Sequence, residues 1–175
     1  EQAIYRELQD AVPAGERLAV LVDEPYYLSF ARNPIWNLDM PGYASLPPGM
    51  PSFKGSEAVE QYLRTIGVRW VMFVLPEHSR YHYRRDYFLE LFVHEQEIWR
   101  TYAPYLIDFI DSMVAIHKRH REVRQVRGIV VIDLSEPRGP EELTPTPKLG
   151  GPASTGPGEP TQLGGNPQPK GKEAR

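Results

Sequence analysis

The spacing of apolar residues in the N-terminal part of the chain predicts a helix, two strands and a loop. Apolar positions over Ala3–Ala11 follow the period of a helix with one buried face. Arg17–Asp23 encloses an unbroken apolar run of strand length, as expected for a strand covered on both faces. A shorter strand is predicted at Ile35–Asp39, and the prolines and glycines of Met40–Phe53 indicate a loop.

A helix followed directly by a strand is the clearest unit of the pattern. Ser56 can cap the helix, because its hydroxyl can accept a hydrogen bond from a free backbone amide, and Gly67 supplies the stop. The apolar residues between them follow the helical period, and Val68–Leu75 continues as a strand. A helix that delivers the chain into a buried strand is half of a β–α–β crossover.

Residues 79–121 carry two further apolar stripes with helical spacing, and we interpret them as an insertion of two helices. Pro104 suits the first turn of the second helix, where a missing amide hydrogen costs little. The apolar run Gly128–Leu134 predicts the final strand. The predicted fold class is therefore α/β: a small, mainly parallel sheet of three or four strands with helices packed on it.

The composition changes abruptly after residue 136. Pro137–Arg175 consists largely of proline, glycine, serine, threonine and scattered charges, with few large apolar residues. Such a segment cannot bury enough surface to offset the entropy lost on ordering, so we expect residues 137–175 to be a disordered tail. The predicted organisation is one α/β domain, residues 1–136, followed by this tail.

Composition and charge exclude several classes of function. The net charge is −3 and the pI is near 6.0, so the chain as a whole does not attract nucleic acid. The lack of cysteine removes disulfides and thiolate metal sites. No apolar run approaches the roughly 20 residues that span a bilayer, and no signal peptide is visible. Because the chain begins with Glu1 rather than methionine, we expect that residues upstream were removed; the alternative is a shortened form of a cytosolic protein, which would begin in the same way.

Four titratable residues follow two of the predicted strands. Asp23 and Glu24 end the first strand, and Glu77 and His78 lie just beyond the strand that ends at Leu75. Ligands bind at the carboxyl edge of open parallel sheets, and a carboxylate beside an imidazole can perform acid–base chemistry. These four residues are the candidate ligand site. The alternative is that they hydrogen-bond loop amides as ordinary strand-end residues.

Motifs for metals, cofactors and nucleophiles are incomplete. His78 and His82 are spaced to share a helix face, but no HExxH sequence or recognisable third ligand accompanies them, so no metal site is predicted. The glycines form neither GxGxxG nor a Walker A loop, and no serine lies in a GxSxG sequence. We therefore expect no cofactor and assign no catalytic residue.

Two basic stretches are candidates for binding an anion. The second stretch complements the dipole at the end of a helix, which explains it without a ligand. The alternative for both is contact with anionic lipid headgroups or a polyprenyl phosphate, whereas the acidic net charge disfavours RNA. The residues concerned are Arg80, Arg84, Arg85, Lys118, Arg119 and Arg121.

Three segments, Val12–Glu24, Tyr62–Val71 and Arg127–Leu134, together resemble a known family. Their motifs are P-x-G-x-x before an apolar strand and D-E, then YLR-x-x-G-V-x-W-V, then G-x-x-V-x-D-L. This order resembles the soluble C-terminal domain of bacterial GT-C type glycosyltransferases. Those enzymes are polytopic membrane proteins related to the mannosyl- and aminoarabinose-transferring families.

The resemblance implies an accessory role. In that family the catalytic carboxylate lies in an extracytoplasmic loop near the N-terminal transmembrane helices, and the donor is a polyprenyl-phosphate sugar. Neither those helices nor that loop is in this sequence. The domain is expected to cap the transmembrane portion of a parent polypeptide at the extracytoplasmic face of the bacterial inner membrane, and to help shape the acceptor site. The alternatives are a free-standing soluble α/β binding or interaction module, and a small enzyme that uses the candidate ligand site.

Overall fold

Four helices and five strands make up the fold of the described residues. A computed structural model describes residues 1–38, 45–80, 83–94 and 97–139, all within one compact unit. The helices are α1 (Gln2–Asp10), α2 (Ser56–Thr65), α3 (Arg85–His94) and α4 (Glu97–Arg119), and the strands are β1 (Leu18–Leu21), β2 (Ile35–Asn37), β3 (Trp70–Val74), β4 (His120–Val126) and β5 (Ile129–Pro137). Short 3₁₀ turns, Pro25–Tyr27 and Pro76–His78, follow β1 and β3. Apart from its first residues, the predicted tail lies outside the described residues.

The five strands form one mixed sheet in the order β2-β1-β3-β5-β4. Strand β1 pairs in parallel with β2 and β3, whereas β5 pairs antiparallel with both β3 and β4. The α/β class and the crossover through α2 are confirmed. The prediction of a mainly parallel sheet of three or four strands is wrong, because β4 precedes the last predicted strand and forms a hairpin with it.

The hairpin between β4 and β5 explains this error. Its turn consists of Arg127 and Gly128, whose φ angles are 49° and 77°. Two central residues with positive φ form the type I′ turn that suits the twist of a hairpin. Strand β4 is largely solvent-facing and charged, as is common for an edge strand, so it has no continuous apolar run. The helical insertion accordingly ends at Arg119, not at residue 121.

Two details of the predicted helices are also wrong. Gly55, not Ser56, is the capping residue of α2, and the Ser56 hydroxyl instead accepts a hydrogen bond from Arg119 Nη1 at 2.7 Å. Pro104 lies inside α4 rather than in its first turn. Gly67 follows α2 with a φ of 78°, which is the conformation that the predicted helix stop requires.

The main core surrounds the two central parallel strands. Every residue of β1 and β3 is buried, as their unbroken apolar runs predict. Helices α1, α2 and α4 contribute Leu8, Leu63 and Met113 to the same core. Full burial of one such side chain is worth about 1.5–3 kcal/mol. This packing holds the carboxyl ends of β1 and β3 in fixed positions, side by side.

Helices α3 and α4 form a second, smaller core. Phe88 of α3 packs with Ala103, Leu106 and Ile110 of α4, and all four side chains are buried. Both helices lie within residues 79–121, the range of the predicted helical insertion. The smaller core leaves much of the apolar surface of α3 uncovered.

Candidate functional site

A cleft of about 200 Å³ opens at the carboxyl ends of β1 and β3. Strand β5 begins at the same edge of the sheet, because Ile129 pairs with Val74. The start of α1 and the β4–β5 turn both contribute to the lining, and Arg127 Nη1 lies 3.8 Å from Glu1 Oε1. The lining residues are Glu1, Ile4, Tyr5, Asp23, Val74, His78, Arg80, Arg127 and Ile129.

The segment after β3 holds Asp23 in place. Its Oδ1 accepts a hydrogen bond from Ser79 Oγ at 2.8 Å, and its Oδ2 accepts one from the backbone N–H of Arg80 at 2.8 Å. The carboxylate therefore ties the end of β1 to the end of β3. The hydrogen bonds from Ser79 and Arg80 orient the Asp23 carboxylate at the cleft.

Arg80 lies between two carboxylates at the edge of the cleft. Its Nη2 is 3.0 Å from Glu1 Oε2 and 3.1 Å from Glu24 Oε2. Glu24 is buried, and an unpaired buried carboxylate would be costly, so the guanidinium compensates its charge. Glu24 thus serves to hold Arg80 at the cleft.

Tyr5 of α1 lines the cleft as a buried side chain. Its hydroxyl oxygen accepts a hydrogen bond from the backbone N–H of Glu24 at 3.1 Å. Burial raises the pKa of Tyr5 above its ordinary value of 10.0; the hydrogen bond from Glu24 opposes this shift, and the neighbouring carboxylates strengthen it. The hydroxyl consequently stays protonated at neutral pH.

His78 approaches the cleft from the 3₁₀ turn after β3. Its backbone N–H donates to the carbonyl of Leu75 at 2.8 Å, and its exposed ring lies against Gly128 in the hairpin turn. Within the described residues the imidazole has no hydrogen-bond or ion-pair partner. Its ring nitrogens are therefore available to a ligand.

The cleft brings together two of the four residues of the predicted ligand site. Asp23 and His78 line it, and Glu24 lies behind Arg80. Glu77 does not take part, because its side chain lines a separate open groove beside Arg84. Its separation from His78 corrects the predicted convergence of all four residues.

Sequence reasoning missed three polar lining residues, namely Glu1, Tyr5 and Arg127. No local signal marks them, since Tyr5 belongs to a helix face and Arg127 to a hairpin turn. They meet Asp23 only because β1, β3 and β5 are adjacent in the sheet. These residues could therefore have been predicted only with the correct strand order.

The basic residues of the first stretch lie on two different surfaces. Arg80 belongs to the cleft, whereas Arg84 and Arg85 line the neighbouring groove. Arg84 Nη2 lies 3.0 Å from Asp86 Oδ2, and Arg85 Nε lies 3.3 Å from Asp111 Oδ2. Each arginine therefore has a carboxylate partner within the domain.

The second basic stretch is divided between α4 and β4. Lys118 and Arg119 lie in the last turn of α4, where they complement the helix dipole as the simpler interpretation predicts. Arg119 Nη2 is 2.9 Å from Glu60 Oε2, and Arg121 Nη1 is 3.8 Å from Glu136 Oε2. These two arginines connect elements of the domain to one another.

Glu60 of α2 is the centre of a second charged cluster. It accepts from Arg119 and Arg64, and its Oε1 is 3.0 Å from His120 Nε2. Burial alone would raise the pKa of Glu60, but the hydrogen bonds from Arg119, Arg64 and His120 outweigh it and lower the pKa. The cluster ties α2 to the junction of α4 and β4.

His120 is buried between two acceptors. Its Nδ1 lies 3.2 Å from the Glu136 carbonyl oxygen, while its Nε2 faces the Glu60 carboxylate. Both partners of the ring are acceptors, and together they hold it between β5 and α2. This cluster is structural, because its polar atoms point at one another.

Neither a metal-binding group among the described residues nor a match to a known protein indicates the function. Among the described residues, no group of three His, Asp or Glu side chains could hold a metal ion, and His82 lies outside them. No helix in this part of the chain has both the length and the apolar content that crossing a membrane requires. Comparisons with family models, curated proteins and solved structures find no match. The geometry of the domain and the resemblance of its three segments remain as grounds for a function.

Proposed function

We propose that this chain is the extracytoplasmic accessory domain of a polytopic membrane glycosyltransferase, where it caps the transmembrane portion and helps to shape the acceptor site. The three segments that resemble GT-C enzymes include β1, the first two residues of β3 and most of β5. These strands are neighbours at the centre of the sheet. The resemblance therefore concerns one continuous part of the domain rather than scattered pieces.

The uncovered apolar surface of α3 is the observation that carries the proposal. Most residues of α3 are apolar, yet only Phe88 is buried. Leu89, Phe92 and Val93 are 41%, 42% and 60% exposed, and their spacing places them on one face. An exposed apolar helix face of this kind is normally covered by protein or lipid. Contact with a transmembrane bundle would supply that cover.

The charged groups at the sheet edge support an accessory role over an independent enzyme. Ser79 and Arg80 hold Asp23, and Arg80 compensates Glu24. No nucleophile paired with a base is found among the described residues that line the cleft. The cleft is therefore suited to binding rather than to bond cleavage.

The reading frame of the native gene is the first test. The proposal predicts apolar spans of roughly 20 residues upstream of Glu1 and continuous with it. A start codon near Glu1, preceded by an in-frame stop, would overturn the proposal and favour the free-standing binding module.

Substitution on the apolar face of α3 is the second test. In the full-length protein, Val93→Asp should lower glycosyl transfer in membranes about tenfold or more, equivalent to about 1.4 kcal/mol, because a carboxylate would enter an apolar contact. The same change in the 175-residue chain should leave the fold intact by circular dichroism, since Val93 is exposed.

Phe30→Asp provides the matched control, because Phe30 is 58% exposed and lies outside the helical insertion. Transfer should be close to wild type in this variant. Equal activity of Val93→Asp and the wild type would contradict a docking role for α3.

A further inference from the structure

The size of the cleft restricts the ligand that it can hold. Its volume of about 200 Å³ is below the range of about 300–1,000 Å³ typical of pockets for drug-sized molecules. Ile4, Val74 and Ile129 contribute apolar patches to a lining that is otherwise polar. The space therefore suits a single small ring with one apolar face.

The charges in the cleft balance one another. Arg80 is bound to Glu1 and Glu24, and Arg127 Nη1 is 3.8 Å from Glu1 Oε1. Asp23 is held by a hydroxyl and an amide. Among the described residues that line the cleft, there is no excess of positive charge for a phosphate and no set of unpaired carboxylates for a cation. A ligand without net charge fits this balance.

The lining retains both donors and acceptors. Each oxygen of Asp23 accepts one hydrogen bond from the protein and has a further lone pair. A neutral imidazole at His78 would supply one donor and one acceptor, and the Arg127 guanidinium supplies further donors. Vicinal hydroxyls both donate and accept, so they match this mixed set.

From these observations we propose that the cleft binds a neutral polyhydroxylated ring, namely one sugar unit of the acceptor. The inference rests on the proposed function for the choice of a saccharide among polyols. Asp23 accepts hydrogen bonds from two ring hydroxyls, and His78 and Arg127 contact the hydroxyls on the opposite side.

Titration of the ¹⁵N-labelled 175-residue chain, followed by NMR, tests the proposal. The probes are glucose, mannose, galactose and N-acetylglucosamine, with inorganic phosphate at the same concentrations. We expect saturable shifts of the amides of Asp23, His78 and Gly128 with at least one sugar, and none with phosphate. Saturation by phosphate alone, or no saturable shift with any of the four sugars, overturns the proposal.

Two neighbouring residues provide matched variants. His78→Ala should weaken sugar binding about tenfold or more, whereas Glu77→Ala should not change it, because Glu77 lies in the other groove. Both side chains are exposed, so both variants should fold. Asp23→Asn should also weaken binding; if it unfolds the chain, the His78 and Glu77 pair decides. Equal affinity of these two variants overturns the assignment.

The sugar-binding experiments and the test of the proposed function can fail independently of each other. Apolar spans upstream of Glu1 without sugar binding would refute the cleft assignment alone. Sugar binding by a chain whose gene starts near Glu1 would refute the membrane glycosyltransferase and leave a free-standing sugar-binding module.

Discussion

The imidazole of His78 lies against Gly128 so closely that a β-carbon at Gly128 would overlap the ring. Gly128 also has a φ of 77° in the turn between β4 and β5. Its carbonyl accepts from the backbone N–H of Leu75 at 2.8 Å, which joins the turn to the end of β3. Two independent requirements, a left-handed backbone and an absent side chain, therefore select glycine at this position.

Gly128→Ala should destabilise the domain by about 2–4 kcal/mol, because about 1–2 kcal/mol of backbone strain adds to the overlap with His78. Urea unfolding measures the change in the free energy of unfolding. Gly15→Ala is the control, since Gly15 has a φ of 83° but no atom within 4 Å of the added carbon. Gly15→Ala should lower the free energy of unfolding only by the backbone strain of about 1–2 kcal/mol.

The double variant His78→Gly/Gly128→Ala should recover the part of the loss that the overlap causes, because alanine at position 78 would keep the β-carbon that also overlaps. A coupling free energy of about 1 kcal/mol or more is expected, as for residues in direct contact. Strict additivity of the two single changes would show that the ring moves aside freely.

Asp133 should make the stability depend on pH in the acid range. Burial alone would raise its pKa, but hydrogen bonds from Arg69 and Ser135 outweigh burial and lower the pKa from 3.8 to about 2. Because the folded-state pKa is lowered, the stabilisation is complete above about pH 4 and is lost as the pH falls toward 2. Asp133→Asn should cost about 2 kcal/mol at pH 7 and progressively less below pH 4.

This prediction is checked by measuring the free energy of unfolding of the wild type and Asp133→Asn between pH 2 and 7. Asp86→Asn is the control, because the Asp86 side chain is 71% exposed and its pair with Arg84 should contribute close to zero at either pH. The free energies of unfolding of Asp133→Asn and the wild type should converge as the pH falls. If their difference stays constant from pH 7 to 2, the lowered pKa of Asp133 does not contribute to stability.

Glu60→Gln should destabilise the domain by about 2–4 kcal/mol, because it leaves Arg119 and His120 without their carboxylate. Chemical unfolding at pH 7 measures the loss. Glu57→Gln, also on α2 but exposed, removes only a favourable charge in the first turn and should cost less than about 1 kcal/mol. Similar losses for both variants would mean that the Glu60 cluster contributes no more than a surface charge.

Asn33→Ala should cost about 2–3 kcal/mol. The Asn33 side chain is fully buried, and its Nδ2 donates to the carbonyls of Pro13 at 2.8 Å and Glu16 at 2.9 Å. The variant would leave both carbonyls without this donor. Asn37→Ala is the matched control, because Asn37 Oδ1 has no partner in the described part of the chain. It should change the free energy of unfolding by less than about 1 kcal/mol, and a larger loss there than at Asn33 would contradict the role of the network.

The central part of the fold could be predicted from local patterns. A strand with one covered face needs an apolar residue only at every second position, whereas the runs around β1 and β3 are apolar throughout. Both strands are indeed buried along their whole length. Gly67 marked the end of α2 because only a residue that tolerates positive φ fits there. Strand β4 could not be predicted in the same way, since an edge strand faces water and its charges resemble those of a helix end.

Half of the candidate site followed from the same local reasoning. Asp23 and His78 come directly after β1 and β3, and the carboxyl edge of parallel strands is a general place for ligands. The exclusion of Glu77 depends on the direction of one side chain in a 3₁₀ turn. That direction is a property of packing, and sequence spacing does not carry it.

By itself the sequence determined the α/β class, the two buried parallel strands and the helix that crosses between them, because apolar periodicity and glycine stops are local properties. Only the tertiary structure decided that the sheet is mixed, that Tyr5 and Arg127 join Asp23 at one cleft, and that α3 leaves its apolar face uncovered. These features depend on which strands become neighbours. That choice minimises the free energy of the whole chain, and no short segment encodes it.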